Sequence, residues 1–291
     1  MSFPRLLYPD AAAWFATPKK RLGLFGMSGL GKTHVSNQLR AHGDWFHYSV
    51  DYRIGTRYMG ELISDEFKRQ AMQVPHLREL LMSDSIRIES NITFNNLAPL
   101  SQYLGKPGDP DRGGLPMEEY RKRQAQHDAA ERAAMLDVPR FVDRAEEIYG
   151  YPHFVCDFSG SFCEVVDPDD PQDEILTTLA KTMLLVWIEG SEAHAEELVR
   201  RFNRAPKPMC YRPAFTESCW QDFLCDHKAT AGEVDPDAFV RFAYRRAMAA
   251  RQPAYAAIAD NWGVKVTAEE VAAADSPEAF EALIGRALER G

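Results

Sequence analysis

Positive charge is in deficit: 34 Lys and Arg stand against 43 Asp and Glu, for a formal charge of -9 and a pI near 5.4. Proteins that grip nucleic acid through its phosphates carry a net basic face, so this balance argues against nucleic acid as a partner. Long apolar runs are also missing. The longest, Met183-Leu184-Leu185-Val186-Trp187-Ile188, falls far short of the roughly 20 residues that cross a bilayer. No charged N-terminal region precedes an apolar signal core, so the reading is no membrane partner and a cytoplasmic location. Cysteine is sparse. Cys156, Cys163, Cys210, Cys219 and Cys225 are odd in number and contain no CxxC pair, which speaks against a zinc knuckle or a disulfide framework and leaves buried thiols. Internal repeats and low-complexity tracts are absent as well.

What is present begins with composition: 45% hydrophobic and 11% aromatic residues over 291 positions suffice for a substantial core, so the chain is globular. The most informative segment is Gly26-Met27-Ser28-Gly29-Leu30-Gly31-Lys32-Thr33. It matches the phosphate-binding pattern GxxxxGKS/T in full, directly after the apolar run Leu22-Gly23-Leu24-Phe25. Glycines let main-chain N–H groups turn inward around phosphates, Lys32 supplies a cation, and the Thr33 hydroxyl is a Mg²⁺ ligand. The amphipathic stretch from Thr33 to Arg40 predicts a helix whose positive N-terminal end adds to the site. No NKxD segment is present, so the guanine-reading element of GTPases is missing and ATP with Mg²⁺ is the expected ligand.

Apolar runs at 21–25, 45–50, 153–156, 182–189 and 264–266 read as five buried parallel strands, most of them separated by helical patterns. Such alternation predicts an α/β fold of the P-loop nucleoside triphosphate hydrolase type, a five-stranded parallel sheet with helices on both faces and ligands at the strands' C-terminal ends. Polar residues gather at those ends: Gly26, Asp51 and Asp157. Two segments look like additions to a single domain spanning 1–291. Residues 57–116 include an Asn-rich turn (89–96) and a Pro/Gly/Asp-rich loop (105–116). Residues 206–236 hold four prolines, three cysteines and little periodicity. Long irregular segments of this kind are lids, binding loops or linkers.

His153-Phe154-Val155-Cys156-Asp157 is an apolar strand ending in an acid, the form of a Walker B element that helps hold Mg²⁺. An Asp that caps the next turn reads the same way. Asp51 follows the second strand, suited either to accept a hydrogen bond from a substrate hydroxyl or to cap locally. Arg121-Lys122-Arg123 reads as a cluster on an exposed helix. Arg200, Arg201 and Arg204 follow the fourth strand, Arg212 precedes Pro213, and Arg251 opens Arg-Gln-Pro-Ala-Tyr.

In this order the motifs resemble the shikimate kinases and neighbouring small-metabolite P-loop kinases. After the phosphate loop, Ser49-Val50-Asp51-Tyr52-Arg53-Ile54 is similar to the family's AspxAspxxIle element, and Glu119 to Gln124 to its PheArgxxGlu helix. Ser159-Gly160-Ser161 takes the place of its glycine triplet and Arg212-Pro213 that of the lid ArgPro. Arg251 through Asp260 is similar to ArgxProxTyrxxxAlaAsp. The resemblance implies that Asp51 orients the acceptor hydroxyl, Arg121 and Arg251 hold an anionic group of the substrate, and Gly160 offers it a backbone N–H. It also implies that Arg212 closes over the phosphates with a lid at 206–236, that Arg204 or Arg201 flanks the adenine, and that 57–116 builds the substrate wall. Two arginines favour a carboxylate or phosphate on a small anionic substrate, because the guanidinium fork matches either.

The departures point to an acceptor other than shikimate. Ser49 stands where the family has its first acid, so Asp157 is expected to supply the Mg²⁺ ligand. Gln124 replaces the glutamate, which leaves Arg121 without its expected carboxylate, and residues 51–121 form a much longer stretch. The enlarged segments also fit an alternative, a P-loop ATPase or nucleotide switch that engages a protein partner through its insertions.

Overall fold

The structure, a computed structural model, describes residues 3–290. In chain order its regular elements are α1 (Ala11–Ala16), β1 (Arg21–Phe25), α2 (Lys32–His42), β2 (Trp45–Ser49), α3 (Val50–Arg53), α4 (Gly60–Ala71), α5 (Pro75–Met82), α6 (Ala98–Leu104) and α7 (Met117–Leu136). They continue with α8 (Val138–Glu147), β3 (His153–Asp157), α9 (Glu174–Thr182), β4 (Leu184–Glu189), α10 (Glu192–Arg204), α11 (Pro213–His227), α12 (Pro236–Trp262), β5 (Gly263–Thr267), α13 (Ala268–Ala273) and α14 (Pro277–Arg290). All five strands fall on the apolar runs expected of them. Among the described residues no helix is long and apolar enough to cross a membrane.

The chain divides into two compact units. The first comprises the described residues up to Val50, together with Arg132–Pro206 and those from Arg241 onward; the second comprises Asp51–Glu131 and Lys207–Val240. The 57–116 segment lies wholly within the second unit, and 206–236 does so from Lys207 on.

The first unit is built on a parallel sheet of order β2-β3-β1-β4-β5. In β1, β3 and β4 consecutive residues are buried, which requires cover on both faces of the sheet. Helices α2 and α8 contact β2 and β3, α9 contacts β4, and α14 contacts β5. Leu22, Leu24 and Phe25 of the central strand are fully buried, each stabilising the fold by ~1.5–3 kcal/mol. Trp14 and Trp262 are equally buried, and their indole N–H groups donate to Glu281 O and Pro168 O, both at 2.9 Å. Because β2 and β3 lie on one side of β1 and β4 and β5 on the other, the loop after β1 lies at the switch point of the sheet, where α/β folds bind ligands.

The second unit corrects the reading of 206–236 as irregular: it contains the 15-residue helix α11. Pro213 occupies the first turn of α11 and Pro236 is the first residue of α12. Proline is favoured there because its missing N–H would have no intrahelical partner anyway. Thr216, Cys219, Trp220 and Phe223 form the buried side of α11, with Trp220 and Phe223 edge-on to Phe239. Similarly, 57–116 carries α4, α5 and α6, and its loop is pinned by Asp109 N–H to Val234 O (2.9 Å) and by the Lys106–Asp237 ion pair (2.6 Å). The Asn-rich turn closes on reciprocal Thr93 and Asn96 main-chain bonds, each 3.1 Å.

Candidate functional site

The loop Gly26–Thr33 leaves the end of β1 in a conformation that depends on its glycines. Gly26 has φ +130°, and a Cβ there would lie 2.7 Å from the Ile188 carbonyl oxygen, so both the backbone angle and the neighbouring strand exclude a side chain. Gly29 and Gly31 are also at positive φ, and Gly31 is the N-cap of α2 without a side-chain capping bond. The first N–H groups of α2 therefore lack a side-chain cap and present a positive end toward the loop. Lys32 is buried, its Nζ donating to Gly26 O (2.8 Å) and Met27 O (3.0 Å). Its charge is thereby held against the main chain at the start of the loop.

Thr33 Oγ1 donates to Asp157 Oδ2 at 2.6 Å. The two residues lie 124 positions apart and are joined because β3 is hydrogen-bonded beside β1, with Leu24 opposite Asp157. Burial pushes the Asp157 carboxyl above its ordinary range, opposed by the Lys32 charge and the Thr33 hydrogen bond. Ser49, at the position of the missing acid, is opposite Asp157 on β2. Hydroxyl, carboxylate, ammonium and helix N-terminus thus converge at the ends of the two strands. This set suits a polyphosphate with a divalent cation, since the oxygens serve a hard metal and the N–H groups and lysine serve the anion.

Gly160 packs against the same loop. A Cβ there would come within 2.5 Å of Ser28 Oγ. Its carbonyl accepts from Arg251 Nη1 (2.9 Å) and Tyr255 Oη (2.6 Å), and Arg251 Nε donates to Glu164 Oε1 at 2.7 Å. Arg251 and Glu164 are both at least nine-tenths buried. Arg251, in the body of α12, is therefore tied to the turn after β3. Gln252 donates to Met27 Sδ at 3.1 Å. Arg204 is exposed at the end of α10.

No family model matches this chain, and no curated protein sequence matches it either. Among solved structures, that of a shikimate kinase from Bacteroides thetaiotaomicron is similar at a TM-score of 0.40 and 15% identity, covering 93% of this chain and 97% of that one. At so loose an overlap, the geometry of the loop and not the likeness supports a functional reading.

In the second unit, Asp51 lies in the first turn of α3, two residues beyond the end of β2. Arg121 pairs with Glu217 of α11 at 2.6 Å, which corrects the expectation that it lacks a carboxylate. The partner comes from another helix instead of the position of Gln124. The expected exposed cluster is also corrected at Arg123. That residue is buried, bonded to Glu119 Oε1 (2.9 Å), Glu66 Oε1 (3.2 Å) and Tyr103 O (2.6 Å). Arg212 is exposed and is the N-cap of α11. Four cysteines are buried as expected, whereas Cys225 is exposed. Sequence reasoning missed Tyr255 as a donor to Gly160 O and Glu164 as the partner of Arg251; Tyr255 stood in the matched motif, but nothing local to Phe162-Cys163-Glu164 signals an arginine partner.

Proposed function

We propose that this protein is an ATP-dependent phosphotransferase that moves a γ-phosphoryl group to a hydroxyl of a small anionic metabolite. The observation that carries the reading is the Thr33–Asp157 hydrogen bond beside buried Lys32 at the ends of β1 and β3. In this reading the Thr33 hydroxyl and the Asp157 carboxylate hold Mg²⁺, because hard oxygen donors are what that ion requires. Held by these two residues, Mg²⁺ would neutralise the negative charge that develops during transfer. Lys32 and the main-chain N–H groups from Met27 to Thr33 orient the phosphates, so positioning and electrostatics do most of the catalytic work.

The acceptor half rests on residue order and chemistry. Asp51 orients the acceptor hydroxyl and takes up its proton, Arg121 and Arg251 recognise the substrate anion, and Gly160 contributes a main-chain N–H. Arg212 stabilises the transferring group, and Arg204 flanks the adenine. A protein partner through 57–116 or 206–236 belongs to a second reading, an ATPase or nucleotide switch. One observation favours it: Arg121 and Arg251 each already have a carboxylate partner, Glu217 and Glu164.

ADP release, followed while hydroxylated carboxylic acids and phosphate monoesters are supplied, separates the two. Stimulation above basal turnover by one compound, lost in Asp51→Asn with ATP affinity intact, supports the phosphotransferase. Steady hydrolysis that none of the compounds stimulates rejects it in favour of the ATPase.

A further inference from the structure

In the second unit, one buried face of α7 is polar where a packed helix is ordinarily apolar. Tyr120, Gln124, His127 and Glu131 recur at helical spacing on one stripe, and all four are buried. Gln124 has a clear task. Its Nε2 donates to Met209 O (3.1 Å) and its Oε1 accepts from Tyr211 N–H (3.0 Å), which grips the main chain on both sides of Cys210.

Held in this way, Cys210 meets His127 and Glu131 from the same stripe: one donor atom from each of the three residues lies within 4.8 Å of the others. His127 Nδ1 is 3.6 Å from Glu131 Oε2, and the two side chains are only 5% and 0% exposed. That Nδ1 has no hydrogen-bond partner. A buried polar atom left so costs about 1–3 kcal/mol, and here it faces a carboxylate within a group that also includes a thiol.

We propose that His127, Glu131 and Cys210 bind a thiophilic divalent transition-metal ion, with Zn²⁺ the best fit to the donors. An imidazole nitrogen, a carboxylate oxygen and a thiolate are all zinc ligands, and bonds of about 2.0–2.3 Å put tetrahedral donors ~3.3–3.7 Å apart. The His127–Glu131 separation already lies in that range, and small side-chain rotations bring in the sulfur. Mg²⁺ and Ca²⁺ select all-oxygen sites and are disfavoured. On binding, the Cys210 thiol releases its proton to solvent as the sulfur–metal bond forms. Carboxylate and thiolate together then balance the dication, so the ion adds no net charge to a buried place. A fourth position stays open to water. The ion ties α7 to the segment ahead of α11, two residues before Arg212. This site is independent of the phosphotransferase reading.

The test uses the untagged full-length chain, stripped by chelator under denaturing conditions and refolded with Zn²⁺ or with Co²⁺ as a spectroscopic probe. Native mass spectrometry is expected to show one zinc per chain, and cobalt to give a thiolate charge-transfer band. Cys210→Ala loses both, whereas Cys219→Ala and Cys225→Ala keep them. Gln124→Leu keeps the band but weakens affinity by about 10–100-fold, the usual cost of losing an outer-shell partner. If Cys210→Ala fails to fold, His127→Gln decides: it retains the thiol, and retention of the bound zinc overturns the proposal. So does a refolded wild-type chain with native circular dichroism and no bound metal, or a charge-transfer band that survives in folded Cys210→Ala.

Discussion

Asp157→Asn separates a metal-binding acid from a structural one, because the two roles predict opposite signs in two measurements. Asparagine keeps the volume and an oxygen that accepts from Thr33 Oγ1, so the 2.6 Å bond is retained and only the charge is removed. The Asp157 carboxyl is held above its usual range, chiefly by burial. A raised folded-state pKa means that the native protein binds the proton more tightly than the unfolded chain, so stability declines as pH rises from the ordinary carboxylate value through the raised one. The cost develops above the ordinary carboxylate value in the wild type and is absent in the variant. Asp157→Asn is therefore expected to melt at the same or a higher temperature than wild type at pH 7, with the two converging in acid. Mg²⁺ affinity moves the other way. Loss of a ligand or outer-shell carboxylate costs about 10–100-fold, or about 1.4–2.7 kcal/mol. Calorimetric ATP titrations across a Mg²⁺ series read this directly, and binding in chelator alone is expected to be unchanged or tighter, since a negative charge beside the phosphates is gone. A variant that melts lower while its Mg²⁺ midpoint stays at the wild-type value refutes the assignment and makes Asp157 a structural partner of Thr33.

Three further outcomes are expected. Lys32→Ala reduces ATP turnover by on the order of 10²-fold or more by removing a cation from the developing charge; turnover near the wild-type rate in a coupled ADP assay contradicts this. Glu164→Ala removes a carboxylate from the buried Arg251 and is expected to cost about 3 kcal/mol in urea unfolding, largely recovered in the Glu164→Ala, Arg251→Met double variant. Additive losses in that cycle count against the pair as a unit. Burial, with the nearby Arg40 charge, lowers the His47 pKa to about 4. The unfolded chain then takes up a proton below the ordinary imidazole pKa that the native state refuses. Stability is present above that value and lost as pH falls toward 4, by about 3 kcal/mol for this residue. A His47→Gln chain showing the same acid dependence as wild type contradicts it.

Residues of the site differed in how far they could be read in advance. The loop Gly26 to Thr33 is legible because its pattern is carried by consecutive residues, whose glycines, lysine and hydroxyl all lie within a few positions of one another. Asp157 was legible as an acid at the end of an apolar strand, with cation ligand and local cap equally open. Its partner Thr33 is settled only by the sheet order that sets β3 beside β1. Arg121 and Arg123 look alike in sequence, yet one is exposed with Glu217 and the other buried among Glu66, Glu119 and Tyr103. An α-helix rotates each successive residue by about 100°, so their surroundings depend on what packs against it.

By itself the sequence determined the course of the loop, the five strands, the acidic balance and the lack of an apolar run long enough to cross a bilayer, all consequences of local composition and periodicity. Tertiary structure decided the partners. Arg251 meets Glu164 across 87 residues and Arg121 meets Glu217 across 96, while His127 and Glu131 meet a cysteine that lies in no metal-binding motif. Each of these contacts joins segments far apart in the chain. Which of several nearby carboxylates or thiols completes them follows from packing, and packing has no imprint in the spacing of either segment alone.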